Sequence, residues 1–174
     1  MIFVQPTSII ELAAALAETD GKTVLAAGCT DILPGKIGKP WDADRIVDLT
    51  HIPELREITA EDGGLFIGAC CTHAQIAENG LVQANFQALA QACAPVGSVQ
   101  IRNRGTIGGN VANASPAADT VPCLMLFGSQ TETIGPDRIC ITGFRLPLPE
   151  ENTVSALQSS ATAILLRSRA SNWL

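Results

Sequence analysis

Gln100-Ile101-Arg102-Asn103-Arg104-Gly105-Thr106-Ile107-Gly108-Gly109-Asn110 is the stretch on which the reading of this chain turns. Its glycines let backbone N–H groups approach an anion closely, and the hydroxyl and amides beside them add further donors. The run lies within residues 97–118, which are poor in large apolar side chains and rich in Gly, Asn, Ala and Ser. That composition predicts one long loop, and a loop of such length inside a compact domain is usually functional. An earlier segment shares the design. Thr23-Val24-Leu25-Ala26-Ala27 reads as a buried strand and runs straight into Gly28-Cys29-Thr30-Asp31. A lone Gly-Gly is most often a tight turn, but two such loops in one short chain point to a nucleotide diphosphate. A Walker loop is excluded, because Gly28 precedes Gly35 by too many residues and Lys36 is followed by Ile37. The three fixed glycines of a Rossmann turn after an early strand are also missing.

The composition limits the remaining classes. The chain has 174 residues, of which 47% are apolar and 16% charged, which excludes a disordered or fibrous protein. No apolar run reaches the length of a membrane span, and Met1-Ile2-Phe3-Val4-Gln5-Pro6 lacks the basic start of an export signal. Against 17 Asp+Glu stand 11 Lys+Arg, a net charge of −6, so no basic stripe for nucleic acid is expected. Cys29, Cys70, Cys71, Cys93, Cys123 and Cys140 are scattered, and His51 and His73 are the only histidines. That spacing predicts no metal site, and reduced thiols filling the core of a cytoplasmic protein.

Along the chain, Ser8 and Glu11 make a capping box ahead of Ile9, Leu12 and Leu16, with Asp20-Gly21 closing that helix. Pro34-Gly35 punctuates, and Arg45 to Leu49 is a second strand. Arg56 to Thr59 and Leu65 to Ala69 flank Asp62-Gly63-Gly64 as a hairpin. Thr72 caps a short helix through Ile76, and a longer helix runs from Asn85 to Ala94, stopped by Pro95. Asp119 caps a helix over Val121 to Phe127 that Gly128 closes. Gln130 to Ile134 and Arg138 to Thr142 form a second hairpin around Gly135-Pro136-Asp137, and the tail from Glu150 has weak patterning.

Followed by Ala114-Ser115-Pro116-Ala117-Ala118-Asp119, the run from Gln100 to Asn110 closely resembles the FAD-binding (medium) subunits of molybdenum hydroxylases. These are the xanthine dehydrogenase, carbon monoxide dehydrogenase and aldehyde oxidase-like enzymes. Gly28-Cys29-Thr30-Asp31, at the right distance upstream, is similar to the family's other flavin loop. The resemblance covers residues 1–128 well and returns over Phe144 to Gln158. It implies an α+β fold, the two-lobed FAD-binding domain of the vanillyl-alcohol oxidase or molybdopterin dehydrogenase type. The small lobe would be 1–52, the larger lobe 53–149 (shortened after 128), and 150–174 a remnant tail.

FAD is the implied cofactor. Its diphosphate would lie between Ala27, Gly28, Cys29, Thr30 and Asp31 on one side and Thr106, Gly108, Gly109 and Asn110 on the other. Leu25 and Ala26 would run along the cofactor, and Val96 and Gly97 would line the site. Asn113 and Asp119 would bond the ribityl or adenosine part. The implied function is an electron-transfer module of an oxidoreductase, the flavin subunit beside a [2Fe–2S] small subunit and a molybdopterin large subunit, passing electrons to NAD or another acceptor. No catalytic acid, base or metal ligand is expected on this chain.

Two departures stand out. Cys29 sits where relatives commonly carry a second small residue, often glycine, and after Phe127 the section ahead of Ile141 to Pro147 reads as shortened; the family's separate C-terminal domain is also expected to be essentially absent after Gln158. The apolar surface that this domain would cover predicts a dimer or larger assembly. Two other readings remain: a truncated, non-catalytic nucleotide-binding or assembly module that keeps only the fold, and a decayed fragment. Arg102 and Arg104 either neutralise phosphate, dock a partner or form a solvated pair. His73 reads as a structural or surface histidine, and Cys70 and Cys71 as packing residues.

Overall fold

The N-terminal residues build a small parallel sheet. In the computed structural model, which describes residues 1–18, 22–115, 118–149, 153–159 and 162–167, β1 (Ile2–Val4), β2 (Thr23–Ala26) and β3 (Arg45–Asp48) pair in the order β1-β3-β2. The predicted Asp20-Gly21 turn, Pro116 and Ala117 of the second motif, and the ends of the tail lie outside the described residues. Between β1 and β2 runs α1 (Ile9–Ala17), capped where Ser8 Oγ accepts from the Glu11 N–H at 3.2 Å. The Glu11 carboxylate does not complete the box on Ser8; it accepts from the Thr7 N–H and hydroxyl instead. The Thr7 N–H bond, then the hydroxyl bond, holds that carboxyl below its ordinary pKa.

Two elements escape the sequence reading here. β1 is only three residues long, and α2 (Ile32–Lys36) contains the Pro34-Gly35 pair expected to break the chain. Proline is tolerated in a first turn because the N–H it lacks has no partner there.

A four-stranded antiparallel sheet follows, β4 (Ile58–Glu61), β5 (Gly64–Gly68), β6 (Gln130–Ile134) and β7 (Cys140–Pro147), in the order β4-β5-β7-β6. Both hairpins turn at the predicted residues, with Gly63 at φ +75 and Gly135 at φ +90. The register pairs Leu65 with Leu146 and Ile67 with Phe144, so these four side chains share the face that the helices cover.

Those helices differ from the expectation. The helix expected from about Asn85 to Ala94 is α5 (Gln87–Cys93), but an unforeseen α4 (Gly80–Asn85) precedes it, after α3 (His73–Glu78) with its full Thr72/Gln75 capping box. Asn79 caps α4 by accepting from the Leu81 and Val82 N–H groups. Phe86 breaks the run at φ −132, and its fully buried ring meets Phe127 edge-on at 5.1 Å. Tertiary burial of one ring thus overrides a continuous helical pattern.

The predicted 97–118 loop is also corrected. It holds α6 (Val99–Arg102) and α7 (Ile107–Ala112), and no strand leads into the second glycine run. α8 (Thr120–Leu126) starts after Asp119, whose side chain makes no capping bond because the residue is itself helical at φ −64. The tail, expected to be weakly patterned, pairs as an antiparallel hairpin of β8 (Thr153–Ser159) and β9 (Thr162–Arg167) beside α5 and α8.

The larger core lies between the antiparallel sheet and α3, α4, α5, α7 and α8. A smaller one packs Leu12, Leu16, Val47, Leu49, Ile52 and Leu55 against Cys70 and Cys140, and so joins the two sheets. The six thiols are free and all but Cys29 are buried. Burial pushes Cys70 and Cys71 up to about 12, Cys123 and Cys140 up to about 11, and Cys93 upward as well. They stay protonated at neutral pH and act as packing residues, as expected.

The joint between the sheets is tight at Gly68, where an added methyl would stand 2.4 Å from the Leu55 carbonyl carbon and oxygen. Backbone cannot rotate away from such a clash, so Gly68→Ala is expected to lower unfolding free energy by about 2 kcal/mol in a denaturant titration.

Candidate functional site

At the C-terminal end of β2 the chain leaves the parallel sheet and runs through Ala27–Asp31 into α2. Leu25 and Ala27 are half-buried against the smaller core, Ala26 is buried and pairs with Asp48, and Gly28, Cys29 and Thr30 are half-buried. Asp31 is exposed. The second glycine run is strapped to the segment after β5. The His73 N–H donates to Gly105 O at 3.1 Å, the Ile107 N–H to Cys71 O at 3.0 Å, and the Gly108 N–H to Ala69 O at 2.9 Å. An isolated bridge between Thr72 and Thr106 completes the strap.

The two segments touch through their backbones. A methyl group added at Gly28 would stand 1.8 Å from the Arg104 carbonyl oxygen and 3.1 Å from Gly105 Cα. One added at Gly105 would stand 3.3 Å from both Thr30 Oγ1 and His73 Cδ2. Glycine is therefore required at Gly28 by close approach, not by an unusual φ. The structure brings the predicted first loop and the start of the second together at one seam.

The hydrogen-bonding capacity of the two sides differs. In the second run the N–H groups from Ile107 to Asn110 are spent inside the protein: Ile107 and Gly108 on the strap, Gly109 on its N-cap Thr106 Oγ1 at 3.2 Å, and Asn110 on Thr106 O at 2.9 Å. Gly108 is buried with its Cα against Ala69, whereas Gly109 is exposed. In the first loop, the N–H groups of Gly28, Cys29, Thr30 and Asp31 meet no acceptor among the described residues. Four adjacent donors without acceptors among the described residues, on half-buried or exposed residues, suit a ligand rich in oxygen acceptors.

The other predicted residues lie further round. Val96 O and Gly97 O accept from Arg102 Nη1, at 3.4 and 3.0 Å, so this pair positions α6 ahead of the seam. Asn110 Oδ1 accepts from the fully buried Thr120 hydroxyl at 2.5 Å, which ties α7 to α8. Asn113 is exposed at the far end of α7. Asp119 is half-buried ahead of α8, and its charge raises the Cys93 and Cys123 thiols.

Residues that sequence reasoning passed over also stand here. Burial pushes the Asp48 carboxyl up, but hydrogen bonds from Thr50 and Gln5 and the nearby His51 outweigh it and hold the group below its ordinary value. Asp48 ends β3 beside the first loop, and the rule that ligands collect at the C-terminal ends of parallel strands was the available signal. His73 was read as structural or surface. It is 2% exposed, its Nδ1 has no partner among the described residues, and burial lowers its pKa.

A sequence profile for the FAD-binding domain in molybdopterin dehydrogenase matches residues 1–145. The chain belongs to this family. Its cofactor is FAD, and the unpaired donors of the first loop and the exposed Gly109 fit a dinucleotide diphosphate. The chain is 27% identical over 157 residues to caffeine dehydrogenase subunit beta of Pseudomonas sp. (strain CBB1), covering 90% of this chain and 52% of that protein. It is 38% identical over 116 residues to the xanthine dehydrogenase FAD-binding subunit of Escherichia coli O157:H7, covering 64% and 39%. Among solved structures it is similar in fold to carbon monoxide dehydrogenase from Hydrogenophaga pseudoflava lacking the Mo-pyranopterin moiety (TM-score 0.79, 24% identity, 92% of this chain and 65% of that one). It is also similar to reconstituted CO dehydrogenase from Oligotropha carboxidovorans (TM-score 0.81, 23% identity, 89% and 62%). The chain spans about half the length, or less, of these curated relatives. Among the described residues no helix is long and apolar enough to cross a membrane.

Two outcomes follow from this geometry. Cys29 holds φ +58, a conformation that costs a side-chain-bearing residue about 1–2 kcal/mol. Cys29→Gly removes that strain against roughly 0.5–1 kcal/mol of added chain entropy. The net gain is expected as a melting temperature raised by about 1–3 °C in calorimetry.

His73 folds with its pKa below the ordinary 6.5, so below that pH the unfolded chain takes up a proton that the folded one refuses. Its contribution is intact above 6.5 and is lost as pH falls from there toward the lower folded value. Urea titrations from neutral to mildly acidic pH are expected to show a downward slope that His73→Gln flattens.

Proposed function

We propose that this chain is the flavin-binding, electron-transferring part of a molybdenum hydroxylase-type oxidoreductase. Residues 1–52 and 53–149 form the two lobes that meet around FAD. The observation that carries the reading is the seam itself: a glycine loop leaving the parallel sheet in backbone contact with the turn ahead of α7, the loop having four N–H donors without an acceptor among the described residues. The first loop then holds the diphosphate through the N–H groups of Gly28 to Asp31 and the Thr30 hydroxyl. Gly109 and Asn110 border it from the second side, while Thr106 and Gly108 brace that side from behind. Leu25 and Ala26 support the loop from the strand. For Val96, Gly97, Asn113 and Asp119 the support is the family resemblance alone.

When bound, FAD supplies one- and two-electron redox chemistry, and the protein supplies binding, orientation and electrostatics. The chain needs no acid or base for this. Electrons come from iron–sulfur clusters on a small partner subunit, while a molybdopterin subunit oxidises the substrate; NAD or another acceptor takes them onward. The relatives' names support the complex: one is a medium chain of carbon monoxide dehydrogenase, another an FAD-binding subunit of xanthine dehydrogenase.

The test begins with the purified chain and FAD. Heat release followed by chromatography is expected to recover FAD, not FMN, in the supernatant. Gly28→Ala drives the Arg104 carbonyl away and spoils the donor array, so FAD affinity by fluorescence titration is expected to fall by about tenfold or more, the worth of one or two bonds to a charged acceptor. Unchanged affinity would sink the seam as the diphosphate site.

A further inference from the structure

We infer that Arg104 is the cation that binds the FAD diphosphate, a role neither the fold nor the glycine motif assigns to it. The inference rests on the seam being the diphosphate site. Three observations bring it to this residue.

First, the backbone of Arg104 is part of the seam, since its carbonyl oxygen is what Gly28 abuts. Second, its side chain is exposed and, among the described residues, has no ion pair, hydrogen bond or ring contact. Its neighbour Arg102 is instead spent on the Val96 and Gly97 carbonyls. Third, its charge reaches the first loop. Burial and then Asp48 raise the Cys29 thiol, and Arg104 pulls it back down.

The electrostatic setting gives this free guanidinium a task. The chain carries a net charge of −6, and Asp31 and Asp48 flank the first loop. A diphosphate approaching neutral N–H donors there meets two carboxylates. Asp48 is engaged by Thr50 and Gln5, which leaves its charge in place. A guanidinium beside the donors offsets that repulsion and offers planar, paired N–H groups suited to phosphate oxygens. The site stays open to solvent, so the contribution is modest and screened by salt.

The experiment measures FAD affinity of the full chain by fluorescence titration for wild type, Arg104→Gln and Arg104→Lys across a KCl series, with ADP as a competitor that carries the diphosphate without the flavin. At about 25 mM salt Arg104→Gln is expected to weaken FAD and ADP alike by about fivefold to tenfold. The gap should close to less than about twofold near 0.5 M, where the screening length is only a few ångströms. Arg104→Lys, which keeps the charge but not the fork, should retain the greater part of the affinity. Equal FAD affinity for Arg104→Gln at low salt overturns the assignment. So does a loss that does not change with salt, because that is the mark of a damaged loop rather than a missing charge. Wild-type chain that binds no FAD at any salt overturns the seam reading, and this inference with it.

Discussion

The contact between Gly28 and the Arg104 carbonyl organises the molecule around its site. With 1.8 Å between that oxygen and the place a methyl would occupy, no other residue fits without parting the two segments. The contact joins the C-terminal end of a parallel strand to the approach of α7, across the boundary between two sheets of different kinds. A shared apolar cluster, with Cys70 and Cys140 packed on Leu12, Leu16 and Val47, holds the sheets in the relative position that the contact requires. The strap from Ala69, Cys71 and His73 to Gly105, Ile107 and Gly108 fixes the other side. The contact and the strap use backbone groups, and the apolar cluster between the sheets supports them.

Hydrogen-bond accounting then separates scaffold from site. The segment with more glycines consumes its own donors, through an N-cap and the strap, and works as a brace. The segment with fewer keeps its donors free. The same sheet end presents Asp31 and Asp48, and among the described residues the Arg104 guanidinium has no ion pair. The buried His73 ring, with one nitrogen unpartnered, underlies the same junction and makes it sensitive to acid.

Much of this was legible in residue order. Turn residues placed both hairpins, because Asp62-Gly63-Gly64 and Gly135-Pro136-Asp137 satisfy local backbone demands that hold in any context. The strands Thr23–Ala26 and Arg45–Asp48 and the Thr72 cap were visible for the same local reason. Two glycine-rich segments announced a close backbone approach, which the structure places at Gly28, since such an approach needs glycine wherever it occurs. The helical break at Phe86 was not legible: the pattern from Asn85 to Ala94 is continuous, and only packing against Phe127 interrupts it. The short helices α6 and α7 were hidden by a Gly- and Asn-rich composition that reads as loop; Ser98 and Thr106 cap them, and α7 also buries Ile107 and Gly108.

What the sequence by itself determined is therefore local: which residues turn, which cap, which stretches are thin enough for a backbone to come close to something. It also determined the family, through a motif whose residue types and spacing are specific. Only the tertiary structure decided what each glycine approaches. Gly28 meets a carbonyl from the turn between α6 and α7, Gly108 turns to Ala69, and Gly109 remains open. It also decided which donors are left over, that His73 is buried and that, among the described residues, the Arg104 side chain has no partner while Arg102 bonds the Val96 and Gly97 carbonyls. A residue's own chemistry states what it is able to bind, whereas its partners are set by chain segments far away in sequence. Those long-range partners exist only once the two sheets have packed.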